Sequence, residues 1–190
     1  MTMTGSRPWA PSHPSEFGSV LAGLGWRAST LDPSGGAVIL GPGTPAPEFA
    51  LPDQFGAPRR LADLTARGGV VLAFVPFAFS RICTGELHDL DAARPMFEAA
   101  AAEVFLVSVD AKYALRAWAE AEGVRLGMLS DFWPHGAIAR AYGAFDEQAG
   151  FARRATFVIG SDGVIRSSFS APAGQARPIA AYRDALAALG

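Results

Sequence analysis

Residues 69–77, GVVLAFVPF, form an unbroken apolar run rich in β-branched and aromatic side chains. A strand with one face in water alternates apolar and polar residues. A run that is apolar at every position has both faces covered. This stretch therefore predicts a central strand in a sheet with helices on both sides. Two further runs, EVFLVSVD at 103–110 and RLGMLSD at 125–131, predict more buried strands.

The segments between them have helical spacing. In TGELHDLDAARPMFEAAAAE (84–103), Leu87, Leu90, Ala93, Phe97 and Ala101 recur at three- and four-residue steps, with Pro95 as a kink. KYALRAWAEAEG predicts a helix closed by Gly123, and PHGAIARAYG a short helix with Pro134 in its first turn. PEFALPDQFGAPRRL predicts two short strands around a turn near Gln54-Phe55-Gly56, and LADLTARGG a brief helical turn. ATFVIGSDGVIRSSF reads as a hairpin turning at Ser161-Asp162-Gly163, and RPIAAYRDALAAL as a closing helix. Alternating strands and helices followed by a hairpin and a helix predict a three-layer α/β domain over residues 38–190.

Residues 1–37 differ in kind. Pro, Ser, Gly and Thr dominate, and DPSGG closes the segment. The reading is an N-terminal extension, flexible or weakly docked; Trp9, Phe17, Leu21, Leu24 and Trp26 give it side chains able to pack on the domain or on a partner. MTMTGSRPWAPSHPSEF lacks the apolar core of a signal peptide, and GSVLAGLGW is too short to span a bilayer. The expectation is a cytoplasmic protein away from membranes. A formal charge of −2 gives no electrostatic reason to propose nucleic acid as a partner.

The chain has one cysteine, Cys83, in PFAFSRICTGEL at 76–87. One cysteine cannot close an internal disulfide or build a Cys-rich metal site. Cys83 is placed at the start of the helix that follows the central strand, where free N–H groups and the helix dipole favour a thiolate over a thiol. Arg81 adds a nearby cation, Ser80 a hydroxyl, and Pro76 a wall that restricts water. CTGE lacks the second cysteine of a disulfide oxidoreductase, which argues against a thiol transferase. His88 lies more than one turn along the same helix, and His135 can approach only through the fold, so Cys-His acyl transfer is the weaker mechanism. A solitary activated thiolate is suited to attack on an electrophilic oxygen, becoming a sulfenic acid that another thiol reduces. Phe132, Trp133 and His135 read as an aromatic cluster packed at a strand end, near the active-site pocket or at a subunit contact.

PFAFSRIC is similar to the peroxiredoxin motif Pro-x-x-x-Thr/Ser-x-x-Cys, matched at Pro76, Ser80 and Cys83. GPGTPAPEFALPDQFG resembles the opening of that family. LSDFWPHGAIARAYGAFDEQAGFARRATFVI resembles the alkyl hydroperoxide reductase E group of one-cysteine peroxiredoxins. The resemblance runs from about residue 38 to the C-terminus. It implies a thioredoxin-like fold with a central mixed sheet and an antioxidant thiol-dependent peroxidase, with no metal or organic cofactor. Cys83 is then the peroxidatic cysteine, Ser80 positions the peroxide, and Pro76 shields the sulfenic acid. Arg154 binds the sulfur and the peroxide oxygens, and Glu86 orients that arginine. Arg153 ranks below Arg154, because neighbours in an extended segment face opposite sides. The implied partners are a hydroperoxide, an external thiol reductant (mycoredoxin, thioredoxin or a low-molecular-weight thiol) and a second copy in a homodimer. A redox sensor that uses the same cysteine as a partner-binding switch is the alternative.

Overall fold

The structure, a computed structural model, describes residues 38–190. The extension expected at 1–37, with its tryptophans, lies outside the described residues.

The run at 69–77 supplies strand β3 (Gly69–Phe74), buried at every position. It is the middle strand of a five-stranded sheet. On one side it pairs in parallel with β4 (Ala102–Ser108), which pairs in parallel with β5 (Gly127–Ser130). On the other side it pairs antiparallel with β8 (Ala155–Ile159), which pairs with β9 (Ile165–Ser170) as the expected hairpin. The sheet is therefore mixed. Its parallel half is joined through helices and its antiparallel half through a tight turn, as strand direction requires.

Successive β3 side chains enter opposite layers. Val70, Leu72 and Phe74 face a core with Phe157, Tyr142, Ala139, Leu61 and Leu64. That layer holds α1 (Leu61–Thr65) and α5 (Ala137–Ala141). Val71, Ala73 and Val75 face a second core with Cys83, Leu87, Leu90, Trp118 and Tyr182. There lie α2 (Arg81–Ala92), α3 (Arg94–Ala99), α4 (Lys112–Glu122) and α6 (Ile179–Leu186). Two small hairpins complete the described fold: β1 (Ala50–Pro52) with β2 (Pro58–Arg60), and β6 (Phe145–Asp146) with β7 (Phe151–Ala152).

Three details differ from the sequence expectations. Pro95 does not kink one long helix. It opens a second one, α3, after a break at Ala93, because proline cannot donate the bond that would continue α2. Pro134 lies ahead of α5, whose cap is Gly136 at φ +65°. Phe132 and Trp133 are 52% and 80% exposed, so of the two placements expected for the aromatic cluster the one packed near the pocket is not seen.

Candidate active site

The segment after β3 is held open by one carboxylate. Asp110 Oδ2 accepts the Ala78 N–H at 2.7 Å and the Ser108 hydroxyl at 2.8 Å. Phe79 then takes φ +60°, a left-handed conformation that costs an L residue on the order of 1–2 kcal/mol. This reversal turns the chain into α2. Ser80 is extended (φ −72°, ψ 140°) and caps the helix without spending its hydroxyl on a cap bond. The first helical bond, 2.8 Å, runs from the Thr84 N–H to the Ser80 carbonyl. Cys83 thus sits in the first turn, where N–H groups have no partner within the helix and the dipole is positive. Its side chain is fully buried.

The sulfur is met from across the sheet. Arg154 Nη2 donates to Cys83 Sγ at 3.0 Å, and Arg154 Nε donates to Glu86 Oε2 at 3.0 Å. Glu86 lies three residues after Cys83, on the same side of α2. Its other oxygen, Oε1, accepts the Arg177 N–H at 2.9 Å and Arg177 Nε at 2.8 Å. Arg177 Nη1 donates to the Ala155 carbonyl and the Thr156 hydroxyl, both at 3.0 Å. Glu86, Arg154 and Arg177 are all buried. With an ionised sulfur the four side chains balance: two guanidinium groups against a carboxylate and a thiolate. This matters in a buried setting, where an uncompensated charge costs several kcal/mol.

The structure brings five predicted residues together. Cys83, Glu86 and Arg154 form the bonded set, while Pro76 and Ser80 line the adjoining cavity of ≈ 830 Å³ with Arg154. Arg81 is not at the sulfur; its side chain is exposed and the bonded cation is Arg154. His88 pairs with Glu122 at 2.8 Å, and His135 Nε2 lies 2.7 Å from the Gly150 carbonyl oxygen, so neither serves Cys83. Arg153 departs from expectation: it lines the same cavity as Arg154. The Ala155 N–H bonds to the Arg153 carbonyl at 2.9 Å, a three-residue turn centred on Arg154. The alternation rule for extended chains fails at that bend.

Residues 42–168 match the model of the AhpC/TSA family. The chain belongs to the AhpC/TSA family. It is 41% identical to alkyl hydroperoxide reductase E of Mycobacterium tuberculosis over 151 residues, 80% of this chain and 99% of that protein. The crystal structure of peroxidoxin BcpB from Mycobacterium tuberculosis superposes with a TM-score of 0.69 at 30% identity, covering 79% of this chain and 96% of that one. Enterococcus faecalis AhpC gives 0.71 at 28% identity, over 77% and 90%. This AhpC/TSA member is a peroxiredoxin of thioredoxin-like fold, and its activity class is thiol-dependent peroxidase. Its single cysteine fits the one-cysteine type.

Arg177 and Asp110 were missed from the sequence. Arg177 stands before a helix-opening Pro178, and the residue before proline is extended, which frees its N–H for a side-chain acceptor. Asp110 stands two residues past β4, at the edge where α/β sheets place their sites. Both signals are generic and select neither residue.

Proposed function

We propose that Cys83 is the nucleophile that reduces hydroperoxides in this peroxiredoxin. The thiolate attacks the terminal peroxide oxygen. The S–O bond forms as the O–O bond breaks, and the departing alkoxide or hydroxide takes a proton to leave as alcohol or water. Sulfur is oxidised to the sulfenic acid. Two external thiol groups then return it to the thiol, with release of water and formation of a disulfide in the reductant.

The single observation that carries this reading is the buried bond from Arg154 Nη2 to Cys83 Sγ, on an arginine already fixed by Glu86. A guanidinium so held presents donors to the charge that spreads over both peroxide oxygens, without reorganising as it develops. Ser80, which lines the cavity, and the Cys83 N–H supply further donors. Pro76 restricts water beside the sulfenic acid. Glu86 acts by positioning Arg154.

The reductant is an external thiol system, mycoredoxin, thioredoxin or a low-molecular-weight thiol, because the chain has no second cysteine. The working location is the cytoplasm, where such reductants are maintained. Assembly is a homodimer, to which the exposed Phe132 and Trp133 offer apolar surface. The test is stopped-flow oxidation of the reduced protein followed by mass measurement. One added oxygen on Cys83, and no peroxide consumption by Cys83→Ser, are expected. Continued turnover by Cys83→Ser would end the one-cysteine mechanism.

A further inference from the structure

Arg153 has the chemistry of a recognition group, without an acidic partner among the described residues. It is half-buried. Its Nη2 donates to the Phe145 carbonyl at 3.2 Å, while its Nε is buried with no hydrogen-bond partner among the described residues. No carboxylate among the described residues lies within ion-pair distance of it. A buried donor left unpaired costs free energy, and the cost is larger on a charged group.

The cavity it lines is far larger than hydrogen peroxide needs. At ≈ 830 Å³ it dwarfs the roughly 30 Å³ share of a water-sized molecule. Much of its wall is apolar: Ile39, Phe77 and Phe151, the two rings 4.8 Å apart between centroids. Pro76, Ser80 and Arg154 line the same cavity, and Arg154 ties it to the Cys83 sulfur. One carboxylate, Asp146, also faces the cavity; its Oδ1 is engaged by the Gln148 and Ala149 N–H groups at 3.1 and 3.0 Å. Arg154 is committed to Glu86 and Cys83. Among the described residues that line the cavity, Arg153 is the cation left for a ligand.

We propose that Arg153 is a specificity residue that makes this cavity select organic hydroperoxides with an apolar body and a carboxylate. The apolar wall takes the body, the peroxide group reaches Cys83, and the carboxylate accepts from Arg153. Hydrogen peroxide and neutral hydroperoxides gain nothing from that contact. The inference rests on Cys83 as the attacking thiol.

The test uses three oxidants on the full chain: hydrogen peroxide, cumene hydroperoxide, and cumene hydroperoxide bearing a para-carboxylate. The second-order rate of Cys83 oxidation is measured for wild type, Arg153→Ala and Arg153→Lys. Wild type is expected to favour the carboxylate over its neutral parent by about tenfold, the low end for a hydrogen bond to a charged group. Added salt should shrink that preference. Arg153→Ala should abolish it while leaving the hydrogen peroxide rate nearly unchanged, and Arg153→Lys should keep part of it. Equal wild-type rates for parent and carboxylate would overturn the proposal without any variant, and so would a preference that survives in Arg153→Ala. Both results leave the peroxidase reading intact. If no oxidant modifies Cys83, that reading fails and this inference falls with it.

Discussion

Glu86 holds two guanidinium groups on one buried carboxylate, so the residues around the sulfur are not equivalent under substitution. Arg154→Ala removes the donor at the sulfur but leaves Glu86 paired with Arg177. Its main effect is expected on chemistry: a loss of about 10²–10³ in the oxidation rate, the scale for one lost oxyanion-type donor. Glu86→Gln leaves two buried cations without their anion. It should cost about 3–5 kcal/mol of stability, the range for breaking a buried pair, and also slow oxidation because Arg154 loses its anchor. Chemical denaturation and stopped-flow rates on the same preparations separate the two variants. Equal stability losses would contradict the shared-carboxylate arrangement. The sequence shows why Cys83, Ser80 and Pro76 were legible: they stand together at one strand-to-helix junction. Arg154 and Glu86 became legible only through the family pattern, since local chemistry cannot tell a buried arginine from a surface one. Arg177, 91 residues from Glu86, had no pattern to mark it.

Elements were legible where periodicity was strong. β3 and β4 are apolar at nearly every position, and α4 closes on Gly123 at φ +67°. The hairpin of β6 and β7 was not read, because two-residue strands carry no period. The start of α5 was misplaced for a related reason: its cap is set by tertiary contacts. Gly136 takes φ +65°, and a Cβ there would overlap the Phe145 ring. Gly136→Ala is expected to cost about 1–2 kcal/mol for the backbone and about 1–3 kcal/mol for overpacking. Gly150→Ala, at φ +77° with nothing near its Cβ, should show only the first part. Asp131 completes the same cap: its carboxylate accepts the Ile138 and Ala139 N–H groups, Oδ2 meeting the latter at 2.8 Å. Burial pushes the Asp131 carboxyl above its ordinary 3.8, against the lowering effect of those N–H groups and of Arg140 and His135. A raised folded value means the stabilisation is full below about pH 3.8 and is lost as pH rises through the higher folded value. Asp131→Asn has no such titration. The stability advantage of wild type over Asp131→Asn should therefore shrink from pH 4 upward, as read by urea denaturation across that range. An advantage that grows with pH would reverse the sign assigned to this group.

At the scale of the whole molecule, the three-layer reading followed from the alternation of strands and helices, and β3, buried on both faces, has a core on each side. Among the described residues, those two cores and the cavity draw on positions from Ile39 onward. Leu40 ties this boundary down: its N–H bonds to the Tyr142 carbonyl at 3.2 Å. The relative matched over 99% of its own length reaches 80% of this chain, so a peroxiredoxin domain is complete in fewer residues than are present here. A chain beginning at Ala37 is therefore expected to fold and to keep its peroxide reaction within a few-fold, because Pro76, Ser80, Cys83, Glu86, Arg154 and Arg177 are all retained. Starting at Gly41 instead should do worse. It removes Ile39 from the cavity wall and Leu40 from its bond to Tyr142, so stability and the rate with bulky hydroperoxides should both fall. Thermal midpoint, sedimentation and oxidation rate, compared among the full chain and the two shortened ones, check this ordering. A protein starting at Ala37 that folds yet no longer reacts with peroxide would place part of the active site within residues 1–36.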